Sequence, residues 1–176
     1  MNVTGLSAGA RRAAAAVDFL GIAEDLAGLV QIRSITGDED AIQARLADRL
    51  EALGLAVEVF HPDPAAVRED PEWPGEEVSR SSLPVVIGRV GPAGGKRLVL
   101  SGHVDVVPAG DPATWSDDPW SGVVRNGQLH GRGSCDMKGG IAAILGALRA
   151  LGETGALDRL QGELVVAFVP SEEDGG

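Results

Sequence analysis

The chain has 176 residues, 44% of them hydrophobic and 23% charged, with a formal net charge of −11. That length supports one domain with its own core, and that hydrophobicity excludes a disordered chain. The negative charge argues against nucleic acid and anionic lipid as partners, the single cysteine excludes an internal disulfide, and no apolar run is long enough to span a bilayer, so a cytoplasmic setting is expected.

Residues 1–10 are small and polar and read as a frayed start. Arg11-Arg12 before an Ala-rich stretch superficially resembles a twin-arginine leader. Asp18, Glu24 and Asp25 interrupt any apolar segment, however, and Phe19, Ile22, Ala23, Leu26 and Leu29 recur at helical spacing. The pattern predicts one amphipathic helix from Arg12 to Val30, then a turn from Ser34 to Gly37. Asp38, Glu39 and Asp40 load the start of a second helix with negative charge, where the macrodipole favours it. Ile42, Leu46, Leu50 and Leu53 line its buried face, and Gly54 ends it.

Leu55 to Phe60 reads as a strand, and residues 61–82, with four prolines and many charges, as an exposed loop. Pro84 to Val90 and Arg97 to Ser101 read as strands joined by a Gly-rich turn. The run Leu98-Val99-Leu100 predicts a strand covered on both faces. The segment from Pro108 to Gly122 is turn-rich and carries Trp115 and Trp120, which either line a substrate entrance or pack under the loop. Asn126-Gly127 marks a hairpin between Val123-Val124 and Gln128-His130. Ile141, Ile144, Leu145, Leu148 and Leu151 predict a helix after Asp136, and Glu163 to Val169 a last strand. Strands alternating with helices predict an α/β fold with a mainly parallel central sheet flanked by helices.

Three segments place acids or imidazole just beyond a predicted strand or at a helix start, the edge where ligand sites gather in open α/β sheets. They are Ser101-Gly102-His103-Val104-Asp105-Val106-Val107-Pro108, His130 to Gly140, and Val169 to Gly176. In extended chain His103 and Asp105 point to the same side, so the Asp105 carboxylate can hold one ring nitrogen while the other faces a metal. Taken alone, a His-x-Asp reads more readily as a surface histidine beside an unrelated acid. Glu172 and Glu173 repel each other unless a cation lies between them; one could bind it and the other take a proton from a water. Alone, the pair reads as an acidic loop in an acidic protein. Asp136, taken alone, reads more readily as the cap of the helix that follows, although a carboxylate can also bridge two cations.

In this order and spacing the three segments, with Ile32-Arg33-Ser34 and Thr36-Gly37-Asp38-Glu39 upstream, resemble the co-catalytic zinc hydrolases that include acetylornithine deacetylase, succinyl-diaminopimelate desuccinylase, aminoacylase and a glutamate-releasing carboxypeptidase. The resemblance covers about residues 18–176. It implies a zinc-exopeptidase-like catalytic domain in which His103 binds one Zn2+, Asp136 bridges two, Glu173 binds the other, Glu172 is the general base and Asp105 orients His103. It also implies a cis peptide between Asp136 and Met137. Co2+ or manganese is an expected substitute for zinc.

The implied reaction is hydrolysis of the amide bond of an N-acyl amino acid, with a dipeptidase or carboxypeptidase as runner-up and a non-catalytic fragment as the reading from another class. Full-length relatives in this family are expected to be homodimers with a separate lid or dimerisation domain. Two further ligands, an acid and a His, are expected downstream of Gly176. Residues 1–176 are therefore expected to form the N-terminal portion of a single catalytic domain, inactive on its own. His61 and His130 are expected to be structural or surface residues, and Cys135 a small packing residue. Lys138 is expected among acidic neighbours and is assigned no role.

Overall fold

The computed structural model describes residues 7–174. Residues 1–6 of the expected frayed start, and Gly175-Gly176 of the third segment, lie outside the described residues. The predicted first helix is two: α1 (Ala8–Ala15) and α2 (Phe19–Gln31). Asp18 separates them because its carboxylate accepts the Leu20 amide, which makes it an N-cap rather than an interior residue. α3 (Asp40–Ala52) follows the acidic start and ends before Gly54, at φ +85°. Within the expected loop 61–82 lies one short helix, α4 (Pro64–Arg68), and α5 (Gly139–Glu153) is the helix after Asp136. Among the described residues no helix is long and apolar enough to cross a membrane.

Six strands form among the described residues: β1 (Ala56–Phe60), β2 (Val85–Val90), β3 (Arg97–His103), β4 (Val123–Arg125), β5 (Gln128–His130) and β6 (Glu163–Val169). β4 and β5 make the predicted hairpin, with positive φ at both Asn126 and Gly127. The others form one sheet in the order β1-β2-β6-β3. The fold is α/β with a central sheet, as expected, but the expected parallel bias is not met among the described residues. Only β3 and β6 run parallel, while β1–β2 and β2–β6 are antiparallel. The cause lies in the connections. α5 provides the long crossover that a parallel pair requires, whereas β2 and β3 are joined by a short turn that reverses the chain. β6 then inserts between them.

This order also corrects the expectation for Leu98-Val99-Leu100. β3 lies at the sheet edge, where Leu98 and Val99 are exposed, and β6 is the strand buried along most of its length. Val86, Leu164, Val166 and Phe168 point to one face, and there they meet Leu46 and Leu50 of α3 and Ile141, Leu145 and Leu148 of α5. α2 stacks on α5. The opposite face carries Arg89 and Arg97, both paired with Glu163, and the exposed Val99. One half-buried acid binds the helices together: Asp25 of α2 accepts from both Arg49 of α3 and Arg149 of α5. Gln43 of α3 is buried and its amide donates to the carbonyls of Pro84 (2.8 Å) and Phe168 (2.9 Å), which fixes α3 on the sheet.

Phe168 is fully buried at the centre of this core. Phe168→Ala is expected to lower the unfolding free energy by about 3–5 kcal/mol through lost burial and a residual cavity. Urea denaturation of the two proteins side by side checks it.

Candidate metal centre

The parallel pair positions the site. β3 and β6 are in register to their ends, where His103 lies opposite Val169 and the Val104 amide donates to the Val169 carbonyl at 2.9 Å. The two chains leave the sheet together, one into Asp105 and the other into a single turn of 3-10 helix at Glu172–Asp174. The third contribution comes from the entry to α5. There Gly133 takes φ +77°, and a Cβ on it would lie 2.4 Å from Val106 Cγ1, so glycine alone fits. A cis peptide joins Asp136 and Met137, as expected from the resemblance. Asp136 makes no side-chain cap to α5 and its side chain is largely exposed; the helix begins three residues later. The structure therefore gives no support to the capping alternative.

His103, Asp136 and Glu173 each present a ligand atom within 4.8 Å of one another. His103 is 5% exposed, and its Nε2 lies 3.0 Å from Asp136 Oδ1 and 3.7 Å from Glu172 Oε2. The set of one imidazole and two carboxylates suits a divalent cation with mixed N and O ligation. Glu172 is more than half exposed and stands beside the cluster.

Asp105 acts differently from the expectation. His103 Nδ1 donates to the Asp105 main-chain carbonyl at 3.1 Å, and the carboxylate is farther off at 3.5 Å. That carboxylate, fully buried, accepts the amides of Glu172 and Glu173 and the Thr36 hydroxyl, each at 3.1 Å. It thus grips the turn that carries the two glutamates. Thr36 is brought there by the bridge between Ile35 and Val106 and by Ser34, whose hydroxyl donates to the Val104 carbonyl at 2.7 Å.

Electrostatics follow from this crowding. Burial pushes the His103 pKa down, but the Asp136 hydrogen bond, the Asp105 carbonyl and the charges of Asp105 and Glu172 outweigh it, so the net shift is upward from 6.5. Glu173 is raised by burial and then by the Asp136 carboxylate. Such acids together are relieved by a cation, which favours every ionised form at once.

Several other residues resolve here. Lys138 is buried, donates to the Ile32 carbonyl at 2.8 Å rather than to an acid, and is lowered to about 8 by desolvation. Cys135 is exposed, against the expectation of packing, and lines a cavity with Arg132, Asp136 and Glu173. His61 and His130 are exposed, outside the cluster. Trp115 donates to the Ala109 carbonyl at 2.8 Å beneath the Arg132 guanidinium, and Trp120 lies near both Arg33 and Lys138. Sequence reasoning gave no role to Thr36, Arg80 or Asp174. The Thr36-to-Glu39 stretch of the resemblance was the only sign of the first.

Comparison with known proteins accords with this geometry. Residues 99–176 match the model of peptidase family M20/M25/M40. The chain is 41% identical over 149 residues to a succinyl-diaminopimelate desuccinylase of Methylobacterium sp. (strain 4-46), covering 84% of this chain and 33% of that protein. It is 43% identical over 123 residues to one of Methylobacterium nodulans, covering 70% of this chain and 28% of that protein. The chain thus spans about a third of the length of the curated relatives it matches. In fold it is similar to human carnosine dipeptidase 1 (TM-score 0.68, 24% identity, 96% of this chain and 36% of that one). A M20 family metallo-carboxypeptidase from Sulfolobus solfataricus is also similar (TM-score 0.66, 21% identity, 86% of this chain and 31% of that one). Shared sequence over most of the chain, a shared fold and the three converging segments lead to one assignment: residues 99–176 belong to peptidase family M20/M25/M40.

Proposed function

We propose that this chain is part of a two-zinc hydrolase that cleaves the amide bond of an N-acyl amino acid, with the succinyl-diaminopimelate desuccinylase reaction as the leading substrate class. The observation that carries the reading is the convergence of His103, Asp136 and Glu173 within 4.8 Å, with Glu172 beside them. The desuccinylases matched at 41% and 43% identity favour a deacylase over a peptidase. His103 would hold one Zn2+, Asp136 would bridge both and Glu173 would hold the other; Co2+ fits the same donors. That leaves each ion two protein ligands from this chain, where catalytic zinc typically has three. We therefore read residues 1–176 as part of one catalytic domain, completed by ligands outside it and inactive without them. A small N-acyl amino acid or short peptide as substrate, with neither nucleic acid nor membrane as partner, suits the net charge of −11. A cytoplasmic homodimer is the setting that the family resemblance favours.

The bound ions would polarise the scissile carbonyl and lower the pKa of a water. Glu172, more than half exposed beside the cluster, takes the proton from the attacking water and returns it to the departing amine. Asp105 keeps the Glu172 and Glu173 amides fixed and, through its carbonyl, directs the lone pair of His103 Nε2 outward. The products are a carboxylic acid and a free amine.

In the full-length protein, Glu172→Gln is expected to lower kcat by about 10²–10⁴-fold on an N-succinyl amino acid. Zinc stoichiometry should stay unchanged. The Asp136→Ala, Glu173→Ala double variant should lose the zinc itself. Retention of activity by Glu172→Gln refutes the role of the base, and undiminished zinc in the double variant refutes the ligand set; atomic emission and a ninhydrin assay decide both.

The pH dependence has a definite sign. A raised His103 pKa means that a proton competes with the cation, so zinc affinity should fall as pH drops through that value, with proton release on binding below it. With no cation bound, the imidazolium contributes stability below pH 6.5 that is lost as pH rises through the raised value. Calorimetric titration in buffers of different ionisation enthalpy measures the released proton.

A further inference from the structure

We propose that Arg80 is a positioning residue for this site, holding through Asp174 and Glu39 the turn that presents Glu172 and Glu173. Arg80 lies in the long connection between β1 and β2, far in sequence from the ligands, yet its side chain is 1% exposed. A guanidinium is costly to bury unless paired, and here it is paired toward the site. Its Nη2 donates to Asp174, the residue after Glu173. Nη1 lies 3.9 Å from Glu39 Oε1 and has no hydrogen-bond partner of its own. Both acids are themselves buried.

From Arg80 two routes reach the glutamates. Asp174 also accepts the amides of Glu77 and Val78, the latter at 3.2 Å, so one carboxylate staples residues 77–80 to the Glu172–Asp174 turn. Glu39 accepts the Gly37 amide at 2.9 Å and so fixes the turn whose Thr36 hydroxyl sits on Asp105, which in turn holds the Glu172 and Glu173 amides. Gly37 is pressed against Val78; a Cβ there would lie 2.9 Å from Val78 Cγ1. The clamp is anchored from outside, because Arg68 donates to the Arg80 carbonyl at 3.0 Å and is itself held by Glu76. By contrast, the Asp25 cluster joins three helices and shares no partner with the site, so it serves as the control.

The effect on the metal rests on the two-zinc reading above; the effect on the turn does not. The test takes Arg80→Met, Arg80→Lys and, as control, Arg149→Met in the full-length protein. Two readouts are followed: cobalt(II) titration by visible absorption, and hydrogen exchange at the Glu172 and Glu173 amides. Arg80→Met should weaken cobalt binding about 10–100-fold, alter the cobalt spectrum and speed those amides about tenfold or more. Arg80→Lys should recover part of each. Arg149→Met should lower Tm and leave both readouts in place. Unchanged exchange at Glu172 and Glu173 in Arg80→Met, or equal acceleration in Arg149→Met, overturns the proposal. Should wild type and Asp136→Ala bind cobalt alike, the two-zinc reading falls and the exchange data alone decide the clamp. If Arg80→Met does not fold, Arg80→Lys and Asp174→Asn carry the same comparison.

Discussion

A carboxylate that is wholly buried must find hydrogen-bond donors, and Asp105 finds three: the amides of Glu172 and Glu173 and the hydroxyl of Thr36. Its own carbonyl accepts from His103. One residue therefore fixes the imidazole at the end of β3, the two glutamates at the end of β6 and the turn before α3. Remove its charge and the donors around it are left unpaired in the interior, where such a loss is severe. The rest of the site can be understood as what this arrangement allows: ligand atoms brought together without a single ligand having to be buried completely.

The sheet order makes that arrangement possible. β6 enters between β2 and β3, so the only parallel strand pair among the described residues is the one whose ends carry the candidate ligands. The α5 crossover that this pair requires also delivers Asp136 at its start. Fold and site thus share one structural unit, the β3-α5-β6 segment, and the antiparallel strands beyond it extend the support.

Much of this was legible in residues 101–174. The strand that ends at His103, the helix after Asp136 and the strand before Pro170 follow from apolar patterning. Apolar patterning could not order the strands. β3 and β6 carry similar apolar runs, yet only β6 is central, because burial depends on neighbours that a run does not encode. Asp18 misled in a simpler way: an acid inside a helical pattern is an interior residue or a cap according to backbone geometry. In the site, the family resemblance pointed to His103, Asp136, Glu172 and Glu173, and the structure brings them side by side. The i, i+2 geometry of His103 and Asp105 suggested a carboxylate contact, whereas the main-chain carbonyl of Asp105 is the nearer acceptor. Arg80 left no pattern, and Asp174 stood in the third segment without a role of its own, since their pairing spans 94 residues.

The distances along the chain between partners carry a consequence for how the molecule is made. Asp105 and its amide donors are separated by 67 and 68 residues, and Gln43 reaches a carbonyl 125 residues away. Contacts of such long range form slowly, because a large loop must close before any of them is rewarded. While the chain emerges from a ribosome, Asp105 and His103 appear long before the turn that satisfies them. The gathering of His103, Asp136 and Glu173 therefore waits for β6 to take its place between β2 and β3.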